Sequence, residues 1–468
     1  MRLVNLLQVS VALFSVASAE SIIPKTFENV QLTQSIDLTG SYLKRSLDIT
    51  ARNIADEPQQ VYIVAVDSKA FPNLSILEGQ DKSTGRSVLA RRIEDAHDDG
   101  VEYYQLSLRE PVQPGEELNL LVAEAYSGLL SPLPEVGGQD DEQYLVYSGS
   151  KYALSPYDTL VSSLKIKIYG TYAEELTIGD DEPEQATVEG SGHILSFGEY
   201  KELAPLSSKP FKLRYSNPRP LVRADKLERD IWVSHWGASV SIEETYWLTN
   251  IGTRLKDSFS RLDYNKGQSQ YNLNVASIRQ LRFPLGPNAR DAYYTDLVGN
   301  VSTSHFRSNG QESILEIAPR YPVFGGWHYN FTVGWSHDLS DFVKDVGNEN
   351  YLLKIPIIQG PQDISYGEVD VRVILPEGAS DIQVVSLFGA STDISNTYSF
   401  LDTKGRPTVE FKYNNLIDGH RSGEFFVQYT YTTGDSLRKP LAIALTFASF
   451  FTLFLVFDKI DVSIFRKK

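Results

Sequence analysis

The chain contains no cysteine. That absence excludes a disulfide scaffold, Cys-ligated zinc, iron–sulfur clusters and thiol catalysis. Basic residues are also scarce: 44 Lys and Arg stand against 60 Asp and Glu, a formal net charge of −16. A duplex-binding surface needs a basic footprint, so nucleic acid is not an expected partner. Aromatic side chains, by contrast, are abundant, with 26 Tyr and 22 Phe. A disordered chain lacks that much to bury. At 468 residues the chain is too long for one compact core and predicts two domains.

Two apolar runs lie near the ends. Residues 1–19 read as a secretory signal. Arg2 supplies the positive start, Val9 to Val16 the apolar stretch, and Ala17-Ser18-Ala19 the small residues needed for cleavage between Ala19 and Glu20. Leu441 to Phe457 is 17 uncharged residues, roughly 25 Å of helix. That length suits a thin, endoplasmic-reticulum-like bilayer. Pro440 sits where a first-turn proline is tolerated. Arg438-Lys439 precede the run, Asp458-Lys459 close it, and Arg466-Lys467-Lys468 end the tail. A lipid-anchor signal would end in its apolar tail, so this is not one.

The expected topology is single-pass type I, with 20–437 in the lumen, 441–457 spanning and 458–468 cytosolic, in line with the positive-inside bias. Without 1–19 and 438–468 the chain keeps 37 basic and 58 acidic residues, a net −21 that favours solubility. Luminal exposure makes the sequons at Asn73, Asn300 and Asn330 usable. Around Asn330 the alternation puts Tyr329, Phe331 and Val333 on one face, and Asn330 and Thr332 on the other. Within the span, Ala444, Ala448 and Thr452 fall on one helical face. Small residues at that spacing predict close packing against a partner helix.

The region between the runs reads as strands. Leu164-Lys165-Ile166-Lys167-Ile168, Val369-Asp370-Val371-Arg372-Val373 and Val409-Glu410-Phe411-Lys412-Tyr413 alternate at period two and are rich in β-branched and aromatic residues. Helical periodicity is confined to a short candidate, Arg223 to Trp232, and an ambiguous one, Thr295 to Asn300. The predicted fold is mainly β: two tandem β-sandwich-like luminal domains followed by one C-terminal transmembrane helix. Ser216-Asn217-Pro218-Arg219-Pro220 cannot continue a central strand. The domains are therefore expected at 20–222 and 223–437. Faint self-similarity links them. Gly40, Asn53 and Ile54 recur as Gly237, Asn250 and Ile251, and Gly115, Asn119 and Val122 as Gly326, Asn330 and Val333. A tandem duplication and coincidence both remain open on so few identities.

Catalytic motifs are missing. The seven histidines form no His-Glu-x-x-His, and there is no nucleophile elbow, Walker loop or dinucleotide fingerprint. Asp95 to Leu106 superficially follows a calcium loop, but His97 occupies a ligand position and Leu106 stands where the bidentate Glu belongs. No pair among the 60 acids is singled out as a glycosidase dyad. The acidic stretch Gly179 to Glu184 reads as a solvated loop. No catalytic residue, cofactor or metal is expected. The aromatic segments Trp232-Val233-Ser234-His235-Trp236 and Phe324-Gly325-Gly326-Trp327-His328-Tyr329 read either as core packing at tight turns or as a partner- or glycan-facing surface.

Three blocks carry a resemblance. They are Glu228 to Trp236, Tyr294-Thr295-Asp296-Leu297-Val298-Gly299-Asn300-Val301-Ser302-Thr303-Ser304-His305, and Pro319-Arg320-Tyr321-Pro322-Val323-Phe324-Gly325-Gly326-Trp327. In these the chain resembles the ribophorin I family, a non-catalytic subunit of the eukaryotic oligosaccharyltransferase, and looks most like a fungal member. The resemblance implies a part in transferring a preassembled oligosaccharide from dolichyl diphosphate to Asn of Asn-x-Ser/Thr in nascent chains. It implies other subunits of the complex as partners, including a many-span catalytic one, with nascent polypeptides and the translocon as further contacts. It also implies residence in the endoplasmic reticulum membrane. The catalytic subunit carries a Trp-Trp-Asp signature; none of the five Trp here is adjacent to another. Animal members resemble this chain but add a cytosolic ribosome-docking domain, whereas only 11 residues follow this span. A type I adhesion or receptor ectodomain, and a membrane-tethered luminal hydrolase, are the competing readings.

Overall fold

In Val222–Ser234 the side chains alternate between buried and half-exposed from Leu227 onward. This is the signature of a strand with one face on a core, so the segment considered as a short helix is instead a central strand. Leu227, Ile231 and Val233 are buried at the period that a sheet requires. The computed structural model describes residues 23–460 apart from 95–99, 177–182, 190–191, 257, 270–275, 387–389 and 401. The first five residues of the calcium-like loop, 95–99, therefore lie outside the described residues, as do Ala19 and Glu20, and the rest of that loop runs into the strand Val101–Val112. Strands predominate throughout.

The described strands up to Ser216 form a ten-stranded and a four-stranded sheet, those from Val222 on form an eight-stranded, a four-stranded and a three-stranded sheet, and Val136–Gly137 pairs with Arg254–Leu255 across the two sets. The two sets share one order. In the first, Ile194–Leu203, Thr159–Lys167, Phe27–Asp37, Leu43–Asn53, Glu117–Tyr126 and Leu74–Asp81 lie side by side. In the second, the same places are taken by Arg406–Ile417, Ser365–Ile374, Val222–Ser234, Ser239–Asn250, His328–Asp338 and Arg290–Asp296. Each series has one parallel pairing, at the same place: Phe27–Asp37 with Thr159–Lys167, and Val222–Ser234 with Ser365–Ile374. The four-stranded sheets correspond too. Ala173–Leu176, Pro210–Ser216, Tyr144–Ser150 and Ser131–Pro132 match Ser380–Ser386, Glu424–Thr430, Asn350–Pro356 and Val343–Gly347. The internal repeat that rested on a few residues is therefore explicit in strand order and pairing.

Each half buries its core between its sheets. Leu164, Ile166, Phe197, Phe211, Leu213 and Tyr215 pack together in the first. Leu227, Ile231, Val371, Phe411, Val427 and Tyr429 do so in the second. The first half extends its large sheet by Arg86–Arg92, Val101–Val112 and Gln59–Asp67, which enclose a further core around Tyr62 and Tyr103. The second half instead adds the three-stranded sheet built from Leu281–Leu285, Ser304–Ser308 and Ser313–Ile317.

The halves meet end to end through polar contacts. Ser41 N–H donates to Asp363 (2.8 Å), and the Tyr42 hydroxyl donates to Asp418. A side chain at Gly40 would stand 2.5 Å from the Asp363 carboxylate and would have to displace it from its bond with Ser41. Asn415 donates to Leu74 O (2.9 Å) and accepts from Ser75 (3.3 Å). The proline-rich connection is held in place. Asn217 is buried, and Gln143 donates to the carbonyls of Asn217 and Arg219 (2.9 and 2.8 Å).

Candidate functional site at the helix–sandwich junction

Helix Thr433–Lys459 follows the last strand, Glu424–Thr430, almost without interruption. Its 27 residues extend about 40 Å. By length and composition it could cross a membrane, and its apolar window is exposed throughout. Its first turn is capped by Thr432, whose hydroxyl accepts from Asp435 N–H (3.1 Å). Thr433 N–H and hydroxyl both donate to Glu349 (2.9 and 3.0 Å).

Two further attachments tie the helix to the second sandwich. The Trp236 indole donates to Ser436 O (2.6 Å), and Lys439 pairs with Asp402 and with Glu377 (3.6 Å). Burial alone would raise the Glu377 carboxyl. The N–H groups of Lys404 and Thr403 and the Thr403 hydroxyl outweigh it and hold the group below its ordinary range. Asp402 is likewise held low: burial opposes, but Lys439, the Ser399 N–H and Arg406 prevail. Both acids therefore stay ionised where the helix leaves the sandwich. Behind Trp236, His235 bonds the Tyr429 hydroxyl (2.8 Å), and burial pushes its imidazole down toward the neutral form. A cavity of about 530 Å³ opens here, lined in part by His235, Trp236, Tyr431, Lys439, Ile443 and Ala444.

The aromatic segments divide between the two readings. Phe324 and Trp327 pack with Phe259 and Tyr264 in a satellite core. Gly325 allows the backbone to lie against Thr253 O, which a side chain would meet at 2.0 Å. Trp236, in contrast, is 64% exposed. Glu184, at the end of the acidic stretch, is not simply solvated. It pairs at 3.0 Å with Lys151, which is only 1% exposed.

The sequons occupy different settings. Asn73 ends a short 3-10 turn beside the contact between the halves, and the Ser75 hydroxyl already bonds Asn415. Asn300 is exposed in the hairpin after Asp296. Asn330 sits half-buried within the eight-stranded sheet, opposite Trp247; Tyr329, Phe331 and Val333 point to the core as the alternation requires. Ala444, Ala448 and Thr452 all lie on the helix, but Ala444 faces the sandwich cavity and the Thr452 hydroxyl is occupied by Ala448 O (2.7 Å). Among the described residues no cluster of His, Asp and Glu could hold a metal ion. The attachments made by Trp236, Glu377 and Asp402 were not legible in sequence, because all three are distant from the helix along the chain.

The arrangement is that of tandem β-sandwiches followed by an apolar helix long enough to cross a membrane. The ribophorin I family model matches residues 27–458, and the chain belongs to that family. It is similar to dolichyl-diphosphooligosaccharide–protein glycosyltransferase subunit 1B of Oryza sativa, with 31% identity over 93% of this chain and 92% of the relative. Subunit 1A of Arabidopsis thaliana is 32% identical over 92% of this chain and 71% of its own length. Subunit 1 of Schizosaccharomyces pombe is 29% identical over 92% and 94%. Plant and fission-yeast relatives thus match about equally. Among solved structures, native yeast LTA4 hydrolase superposes over 41% of this chain and 29% of its own, with a TM-score of 0.27 and 9% identity, too low to carry any inference.

Proposed function

We propose that this protein is subunit 1 of the oligosaccharyltransferase, acting in the transfer of a preassembled oligosaccharide from dolichyl diphosphate to asparagine in Asn-x-Ser/Thr sequons. The observation that carries the reading is similarity to subunits of that name across more than nine-tenths of the chain, spanning both sandwiches and the helix. The role is accessory: the chain supports assembly and activity, and a many-span subunit performs the transfer. The missing nucleophile elbow and Trp-Trp-Asp signature support this. The chain lies in the endoplasmic reticulum membrane with residues 20–437 in the lumen as two domains, 20–222 and 223–437, and it contacts nascent chains and the translocon.

The test is purification of the tagged full chain in mild detergent, with identification of what accompanies it. The expected result is a multi-subunit assembly that glycosylates an acceptor peptide, while the chain alone does not. Recovery as a solitary cell-surface protein would defeat the reading.

A further inference from the structure

We propose that Trp236 and the Tyr398–Phe400 turn form a second membrane contact, seating the sandwich on the headgroup region of a phospholipid bilayer. The proposal rests on the reading that Thr433–Lys459 spans the membrane.

Four observations place the turn at that level. The helix is bonded to the sandwich by Trp236, Glu349, Asp402 and Glu377, which fixes the sandwich relative to the span. A groove of about 510 Å³ runs between Asp402 and Thr403 on one side and Lys439, Ile443 and Phe447 on the other. The loop following Phe400 therefore lies beside the first two turns of the apolar segment, about 12 Å along the helix axis. The side chains offered there are aromatic and open: Trp236 is 64% exposed, Tyr398 68% and Phe400 86%. Trp and Tyr concentrate at membrane–water interfaces, where an apolar ring meets a wet polar end. Finally, Lys404 and Arg438, which share Asp435 as an ion-pair partner (4.0 and 3.1 Å), place two cations against one carboxylate at the same level, where phosphate groups lie.

The absence of native cysteine makes the test specific, because one introduced thiol takes one label. The full chain is placed in phosphatidylcholine nanodiscs with an environment-sensitive fluorophore on Phe400→Cys, and separately on Tyr398→Cys, Phe450→Cys and Leu297→Cys. Leu297 is 87% exposed, in the hairpin beyond Asp296, which pairs with Phe331. That is seven residues along the strand from Asp338, at the junction end, or roughly 24 Å. The expected result is blue-shifted emission from Phe400→Cys and Tyr398→Cys, quenched by lipid carrying a nitroxide near the headgroup. Phe450→Cys is quenched by a deep nitroxide, and Leu297→Cys by neither. The lone chain has no partner subunit, so such quenching reports lipid. If Phe450→Cys is embedded while labels at 398 and 400 behave like that at 297, the proposal is overturned. If Phe450→Cys is not embedded, the spanning reading falls and the proposal with it.

Discussion

Asn53 and Asn250 make the same bonds at the same place in the two sandwiches. Each side-chain amide donates to two backbone carbonyls: Glu57 and Val112 for Asn53 (3.1 and 2.8 Å), Ala276 and Val323 for Asn250 (2.8 and 3.0 Å). Each side-chain oxygen accepts from the N–H two residues on, Ala55 and Gly252 (2.9 and 3.0 Å). Each backbone carbonyl accepts from a glycine N–H, Gly115 and Gly326, both at 2.8 Å. Both asparagines are essentially fully buried.

Asn250→Ala is expected to leave the Ala276 carbonyl and the Gly252 N–H without their partner, while the Val323 carbonyl keeps its bond from the Ile278 N–H (2.9 Å). Leaving buried polar groups unpaired costs about 1–3 kcal/mol each before relaxation. The measurement is urea unfolding of the full chain followed by tryptophan fluorescence, with a lowered midpoint expected. Asn53→Ala should give a loss of the same sign and similar size. Asn250→Asp should not rescue, because it turns donors toward carbonyls into acceptors.

Arg229 and Glu244 are fully buried partners on neighbouring strands, with Gln359 accepting from Arg229 (2.7 Å) and Tyr246 donating to Glu244 (2.6 Å). Removing one partner leaves an uncompensated charge. Arg229→Met alone is expected to destabilise by roughly 3–5 kcal/mol. Arg229→Met with Glu244→Leu should lose less than the two single changes combined, as a double-mutant cycle would show.

Asp296 is held down to about 2, first by the Arg320 guanidinium, then by the N–H groups of Val298 and Gly299 and the Tyr329 hydroxyl. A depressed folded-state carboxyl adds stability that is fully present above its unfolded value, about 3.9. That stability is lost as pH falls toward 2. In Asp296→Asn the acid limb of the stability–pH curve should flatten between about pH 4 and pH 2 relative to wild type. An unchanged limb would mean that other carboxylates govern it.

Ala448→Leu is expected to preserve membrane insertion, since Leu is favourable in hydrocarbon, but to reduce recovery of partner subunits. Ala448 is the more informative site, because Ala444 lines the cavity against the chain's own sandwich. Full recovery of the assembly with the Leu variant would show that association rests on the sandwiches.

Asn330→Gln is expected to remove one glycosidase-sensitive mass increment. The side chain lies on the sheet face opposite the core, but between paired strands. Its modification must therefore precede closure of the sheet. No change in the increment would assign the glycan to Asn73 or Asn300 instead.

The β character was legible because period-two alternation survives wherever one face is buried, as in Val369 to Val373. One strand ends at Ser216 and the next begins at Val222, with Pro218 and Pro220 between them. Parallel pairing of Val222–Ser234 with Ser365–Ile374 was not legible, because alternation identifies faces and carries no partner information. The repeat left a trace at a few positions, among them Gly40/Gly237, Asn53/Asn250 and Gly115/Gly326. At the asparagines and at Gly115/Gly326 backbone bonding constrains identity, whereas core positions tolerate any apolar residue of suitable volume. The junction was invisible because Trp236, Glu377 and Asp402 converge on the helix from three separate loops.

The turn holding Gly40 rests on Asp363 and Asp418 at the far end of the second sandwich, while its counterpart, the turn holding Gly237, rests on the start of the helix. One edge of the repeated unit therefore accepts either another unit or the C-terminal helix. The two units are thus stacked head to tail as a short column. Each storey adds the length of its central strands, 12 residues in Ser239–Asn250, or about 40 Å. With Gln143 bonding the carbonyls of Asn217 and Arg219, the first unit is carried at a set height beyond the start of the helix instead of sampling a range of heights on a swinging tether.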